Sequence, residues 1–191
     1  MHVSDEGGNG LFVHAVNDRA EAIDGELAIA LYRGDVSVGR GAAPLAVAAR
    51  SAVVTPAIAL LDGFLDLNHA YRFGPPSCDL VVATLRAHGA TLAESFFFPL
   101  GLPSTRTDVG LTAELAARGD GDLDLTVGTR GHAHAITVTL DGFVPDDDFF
   151  HLAPGASRTL RLRRDPGASP ARRGSVAACN ALTTTAIQVP A

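Results

Sequence analysis

The stretch Asp141–Arg163, DGFVPDDDFFHLAPGASRTLRLR, decides the fold. Asp141-Gly142 closes one strand, and Pro145-Asp146 turns the chain. Phe149 and Phe150 plug into an apolar interior, at least one of them buried, and Pro154-Gly155 turns the chain again. An alternating run follows, with Leu160 and Leu162 on one face and Thr159, Arg161 and Arg163 on the other. Turn residues at these offsets between short runs of period two predict the closing hairpin of an antiparallel β-sandwich. This is scaffold chemistry, and no nucleophile–base pair, phosphate loop or metal cluster accompanies it.

Strand signals flank this stretch at regular intervals. Upstream lie LTAELAAR (Leu111–Arg118), DLDLTVGT (Asp122–Thr129) and HAITVTL (His134–Leu140). Within it Phe149–Leu152 and SRTLRLRR (Ser157–Arg164) read as strands, and GSVAACN (Gly174–Asn180) follows the loop Asp165–Gly174. Turn signals every eight to twelve residues or so are the spacing of a sandwich. Before them, Phe98–Gly110 holds two prolines, two glycines and small polar residues without periodicity, which is linker composition. The N-terminal part repeats the pattern. LFVHAVN (Leu11–Asn17) is apolar on both faces, Asn17–Glu26 is a polar loop, and Glu26–Gly34 alternates with Leu27, Ile29 and Leu31 on one face. Pro44–Arg50 is a third strand, and Cys78–Ala87 with Ala90–Phe98 form a hairpin around His88-Gly89. Ala57–Phe73 reads as a short helix or an extended crossover, with Gly63 weakening the helix. The expected organisation is all-β: two tandem immunoglobulin-like antiparallel sandwiches, residues 1–100 and 110–191, joined by a linker at 101–109.

Composition narrows the function classes. The 191 residues are 47% hydrophobic and carry a formal net charge of −6, which argues against a nucleic-acid partner. All fifteen basic residues are Arg, the signature of a GC-rich bacterial genome rather than of a chemistry. No apolar run is long enough to cross a bilayer, so no membrane partner is expected. The opening MHVSDEGGNG has no apolar core region, so it is not a secretory signal and reads as a start cut into a longer chain. That leaves cytoplasm and periplasm both open. Cys78 and Cys179 lie far apart, in different units on this division, and read as free buried thiols rather than as a sandwich disulfide.

Each candidate site has a plainer reading beside it. His132 and His134 are two apart, so a strand points them to one side, a spacing that can hold a metal. The same parity runs on through Ile136, Val138 and Leu140, so that side is the core and the histidines sit at its rim. Asp146, Asp147 and Asp148 could offer oxygen ligands to a cation, but consecutive acids without the alternating pattern and central glycine mark a solvated turn. Arg158, Arg161, Arg163, Arg164, Arg172 and Arg173 make a basic stretch that would suit an anionic partner or an acidic neighbouring domain, but reads first as an edge strand carrying charge against edge-to-edge pairing. With no Trp and only Tyr32 and Tyr71, aromatic platforms for sugar are few; Tyr71, beside Arg72, is the better of the two. The five glutamates, Glu6, Glu21, Glu26, Glu94 and Glu114, lie in polar loops or on strand faces, and no G-x-S-x-G elbow is present. No catalytic residue, metal ligand or cofactor is expected. The candidate ligand contacts are Tyr71, Arg72, Asp147, Asp148 and His151.

Four stretches carry a resemblance: Leu11–Arg19, Gly25–Asp35, Ala70–Leu85 and above all GFVPDDDFFHLAPGASRTLRL (Gly142–Leu162). In order and spread over most of the chain, they resemble the C-terminal region of β-mannosidases of glycoside hydrolase family 2. Asp147 is followed by Asp148 where that family usually has Asn after Asp. The resemblance implies two immunoglobulin-like domains from a multidomain enzyme whose acid/base and nucleophile are glutamates on a (β/α)₈ barrel. No segment here matches the barrel, so no catalytic residue is carried over. The implied partner is that barrel, with β-manno-oligosaccharide met through the parent enzyme, which would remove terminal β-mannosyl residues with retention. The alternative is a free-standing sandwich module that binds carbohydrate or protein.

Overall fold

The structure is a computed structural model and describes residues 1–119, 121–167 and 173–189. The chain divides into two compact units, Met1–Leu102 and Pro103–Ala191.

Alternation builds the first unit. β1 (His2–Asp5), β2 (Leu11–Asn17), β3 (Ile23–Arg33), β4 (Val36–Val47), β5 (Ser51–Pro56), β6 (Leu80–Ala87) and β7 (Ala90–Phe97) form two antiparallel sheets. Their orders are β1-β2-β5 and β4-β3-β6-β7. Leu11, Val13 and Ala15 of β2 point inward against Leu27, Ile29 and Leu31 of β3 and Val81, Ala83 and Leu85 of β6. Each large aliphatic side chain so buried contributes about 1.5–3 kcal/mol. After β5 the chain makes one 3-10 turn, Ala57–Leu60, and then runs irregularly to β6. The helix-or-crossover stretch is therefore mostly crossover.

The second unit has β8 (Thr112–Ala117), β9 (Leu123–Gly128), β10 (Ala133–Thr139), β11 (Phe143–Pro145), β12 (Phe150–Leu152), β13 (Ser157–Arg164), β14 (Arg173–Ala177) and β15 (Thr185–Gln188). They pair as β12-β10-β14-β15 and β11-β13-β9-β8. Leu123, Leu125 and Val127 of β9 and Leu160 and Leu162 of β13 meet Ile136, Val138, Phe150, Leu152, Val176 and Ile187 in one core. Four antiparallel sheets with almost no helix make the all-β, immunoglobulin-like reading correct. Half of the expected loop Asp165–Gly174, residues 168–172, lies outside the described residues, Arg172 with it.

At least one of the two phenylalanines is buried, as expected: Phe150 is 7% exposed, while Phe149, with φ at 58°, is 66% exposed. Other local expectations change. The arginine-bearing strand β13 is no sheet edge, because it lies between β11 and β9. Cys78 is a free buried thiol, whereas Cys179 is free and exposed. The parity drawn from His132 through Leu140 also breaks. Ala133 pairs with Leu152 and Ile136 with Phe150, leaving His134 and Ala135 opposite the single residue His151. This β-bulge turns Ala133 and Ile136 inward and leaves the histidines off the core side.

Candidate functional site

Two places bring the candidate residues together, one in each unit. In the first unit the loop between the 3-10 turn and β6 is held from beneath. Asp66 accepts the backbone N–H of Ala70 through Oδ1 at 2.9 Å and that of Tyr71 through Oδ2 at 3.1 Å. The Asn68 amide donates to Asp5 Oδ1 and to the Gly7 carbonyl. Leu67 and Cys78 are buried below, and burial, helped by nearby Asp79, pushes the Cys78 thiol up to about 11.

Above this base stand aromatics. Phe64 is 74% exposed and Phe73 88%. Tyr71 lays its ring 6.0 Å from that of Phe64, tilted by 56°, and its hydroxyl donates to the Gly8 carbonyl at 3.1 Å. Arg72 is exposed, with φ at 54°. The recess here, lined by Gly8, Asn9, Phe64, Asp66, Asn68 and Tyr71, holds about 50 Å³. Pockets that enclose a small ligand run from about 300 Å³ upward, so Tyr71 and Arg72 border a surface rather than a pocket. A wider open recess of about 300 Å³ lies elsewhere in the unit, among Met1, Val16, Asp18, Arg19, Leu85 and Leu92.

In the second unit the bulge on β10 gathers three histidines. Ring centroids of His134 and His151 are 4.6 Å apart, those of His132 and His134 6.2 Å, and those of His132 and His151 6.5 Å. Burial, then the charges of His134 and His151, pushes His132 down to about 4. Burial and His151 push His134 down as well. Asn180 clamps the strand that carries them: its Oδ1 accepts the His134 N–H at 2.8 Å, and its Nδ2 donates to the His132 carbonyl at 2.8 Å. His151 Nδ1 accepts the Ala135 N–H at 3.0 Å, which orients the ring with its other nitrogen protonated.

The acidic turn completes this corner. Asp148 Oδ1 accepts the Val138 N–H at 3.2 Å, so this carboxylate acts as an acceptor to backbone. Asp147 pairs with Arg158, whose guanidinium lies 5.0 Å above the Phe150 ring. Asp147, Asp148 and His151 thus tie the turn to its neighbours, while Tyr71 and Arg72 lie in the other unit. Among the described residues no three His, Cys, Asp or Glu side chains are placed to hold a metal ion. The grouping of His151 with His132 and His134 was missed from sequence. Its only signal was the odd register that one extra residue imposes between β10 and β12.

For hydrolysis of a glycosidic bond, two carboxyl groups must face each other across it. The recess beside Tyr71 has Asp66 alone among its lining residues, the wider one Asp18 alone, and the one beside Ala181 Asp108 alone.

No protein-family model matches the sequence, and no curated protein matches it. Solved structures do match. A β-D-mannosidase from Dictyoglomus thermophilum is 18% identical with a TM-score of 0.65, over 94% of this chain and 21% of that one. The exo-chitosanase CsxA of Amycolatopsis orientalis is 16% identical with a TM-score of 0.62, over 98% of this chain and 26% of that one. The chain has the fold of a stretch of these enzymes. It spans between a fifth and a quarter or so of their length. A further structure of CsxA, described as an exo-β-D-glucosaminidase inhibited by castanospermine and australine analogues, gives 17% and 0.59.

Proposed function

We propose that this chain is a non-catalytic supporting region of a family 2 exo-glycosidase, and that the parent enzyme releases terminal β-mannosyl residues with retention. The observation that supports the reading is the fold match to two exo-glycosidases over 94% and 98% of this chain, but only 21% and 26% of theirs. The single carboxyl group lining each of the three recesses described agrees with a supporting role. So do Asn17 and Asn180, whose polar atoms are consumed by backbone. The partner is then the parent's catalytic barrel, which the two sandwiches buttress.

Two measurements test this. The isolated chain is expected to leave an aryl β-mannoside and an aryl β-glucosaminide at the buffer rate of hydrolysis; turnover overturns the supporting role. An antibody to the chain, applied to extracts of the organism that makes it, is expected to mark a polypeptide several times heavier than 19.7 kDa. A sole band at that mass overturns the parentage.

The exposed rings of Phe64, Tyr71 and Phe73 favour a second reading, a free-standing module that binds carbohydrate or protein. Calorimetry with manno-oligosaccharides separates the two. Saturable heat that Tyr71→Ala abolishes establishes the module.

A further inference from the structure

We propose that His132, His134 and His151 form an acid-operated latch that holds β12 and its preceding turn onto β10 near neutral pH and releases them in acid. The inference is independent of the glycosidase reading. The join it controls is short. Ala133↔Leu152 and Ile136↔Phe150 are its Cα pairs, with the bulge between them. At the bulge the bond that replaces the ladder comes from a side chain, Ala135 N–H to His151 Nδ1. Ala135 has φ at 47°, a region that a residue with a Cβ enters only when held there. The next tie is again a side chain, Asp148 Oδ1 accepting the Val138 N–H.

A proton on His151 Nδ1 turns that acceptor into a donor facing another donor, and the bond is lost. Charging the neighbours adds repulsion, since all three ring centroids lie within 6.5 Å of one another.

The sign follows from burial. His132 binds its proton near 4 in the closed corner, against 6.5 for an ordinary imidazole, and His134 is displaced the same way. The released form therefore takes up protons first. The closed form is fully favoured above about pH 6.5 and loses ground as pH falls toward 4. Between pH 8 and pH 5, His132 alone raises the open population by about 30-fold.

Other charged groups face the corner without reversing this. On the turn, Asp147 is engaged by Arg158 of β13, and Asp148 by Val138 N–H. The segment after β14 brings the exposed Cys179 thiol and the neutral Asn180. β14 itself carries only Arg173, at its start, and β15 carries no titratable side chain.

Amide exchange followed by NMR on the full chain tests the latch. Protection of Ala135 and Val138 is expected to fall about 30-fold from pH 8 to pH 5, while Ala83 and Leu85 in β6 change by less than about threefold. In a His132→Gln, His134→Gln chain the loss at Ala135 is expected to shrink severalfold, leaving only the share that a proton on His151 Nδ1 carries. Should that variant not fold, imidazole ¹⁵N shifts of the unaltered chain decide. His151 Nδ1 should be an unprotonated acceptor at pH 8, and His132 and His134 should gain protons over the range in which Ala135 loses protection. Equal losses in both units, full pH dependence surviving in the variant, or a protonated Nδ1 at pH 8 would overturn the latch.

Discussion

Single polar side chains do much of the holding in these sandwiches. Asn17 is buried at 2% exposure where β2 ends, yet every part of its amide is used. Its Nδ2 donates to the carbonyls of Glu21, Val47 and Ala48, and its Oδ1 accepts the Arg19 N–H. Asn17, which ends the run LFVHAVN, is thus a backbone hub rather than a ligand. Asn17→Ala is expected to cost about 1–3 kcal/mol in urea unfolding, because it strands buried backbone groups. Asn17→Asp should cost more at pH 7, since a carboxylate would face three carbonyl oxygens. That group would be protonated above its ordinary range, so the penalty should shrink as pH falls to 4.5; a penalty that grows instead would contradict the hub. The aromatic pair on the acidic turn divides in the same way. Phe150→Ala is expected to cost about 3–5 kcal/mol. Phe149→Ala, at an exposed position, should cost less than about 0.5 kcal/mol. Equal losses would place both rings in the core.

At the level of strands, what was legible depended on how alternation was spelled. β9 and β13 alternate Leu or Val with polar residues, and the structure turns Leu123, Leu125, Val127, Leu160 and Leu162 inward as that pattern requires. β4 alternates too, but its inward side grades from Gly39 and Gly41 through Ala43 to Leu45 and Val47. Glycine on an inward face reads as a turn, so only Pro44 onward was legible. The reason for glycine is space: a Cβ on Gly41 would lie 1.7 Å from the Leu60 carbonyl oxygen in the 3-10 turn. That oxygen is backbone and cannot swing aside. Gly41→Ala is therefore expected to cost about 3 kcal/mol in the first unit, at the upper end of overpacking. An alanine at Gly34, whose surroundings are open, should lose only the about 1–2 kcal/mol of its positive φ. Chemical denaturation of the two variants checks the contrast, and equal losses would remove the close-approach argument. The short strands β1, β11 and β15 were illegible for another reason: each has four residues or fewer, too few to show a period. The histidine corner needed non-local knowledge. Parity alone put His132 and His134 on the core side, at its rim, and one extra residue in the ladder reversed the side.

Across the whole chain the two thiols report on different units. Cys78 is 1% exposed, its Sγ lies 3.8 Å from the Leu67 carbonyl oxygen, and burial holds its ionisation up at about 11. At pH 8 only about one such thiol in a thousand is thiolate, and that one is shielded from reagent. Cys179 is exposed. A disulfide-exchange reagent at pH 8 is therefore expected to take one equivalent quickly and the second only as the first unit opens. In Cys179→Ser the fast phase should vanish, and the remaining rate should rise with urea in step with loss of amide protection in β6. Urea acts on the second unit as well, but Cys78 lies within the core of the first, so its rate follows opening of that unit alone. Two fast equivalents in the unaltered chain would mean that the loop above Leu67 opens without the sandwich beneath it.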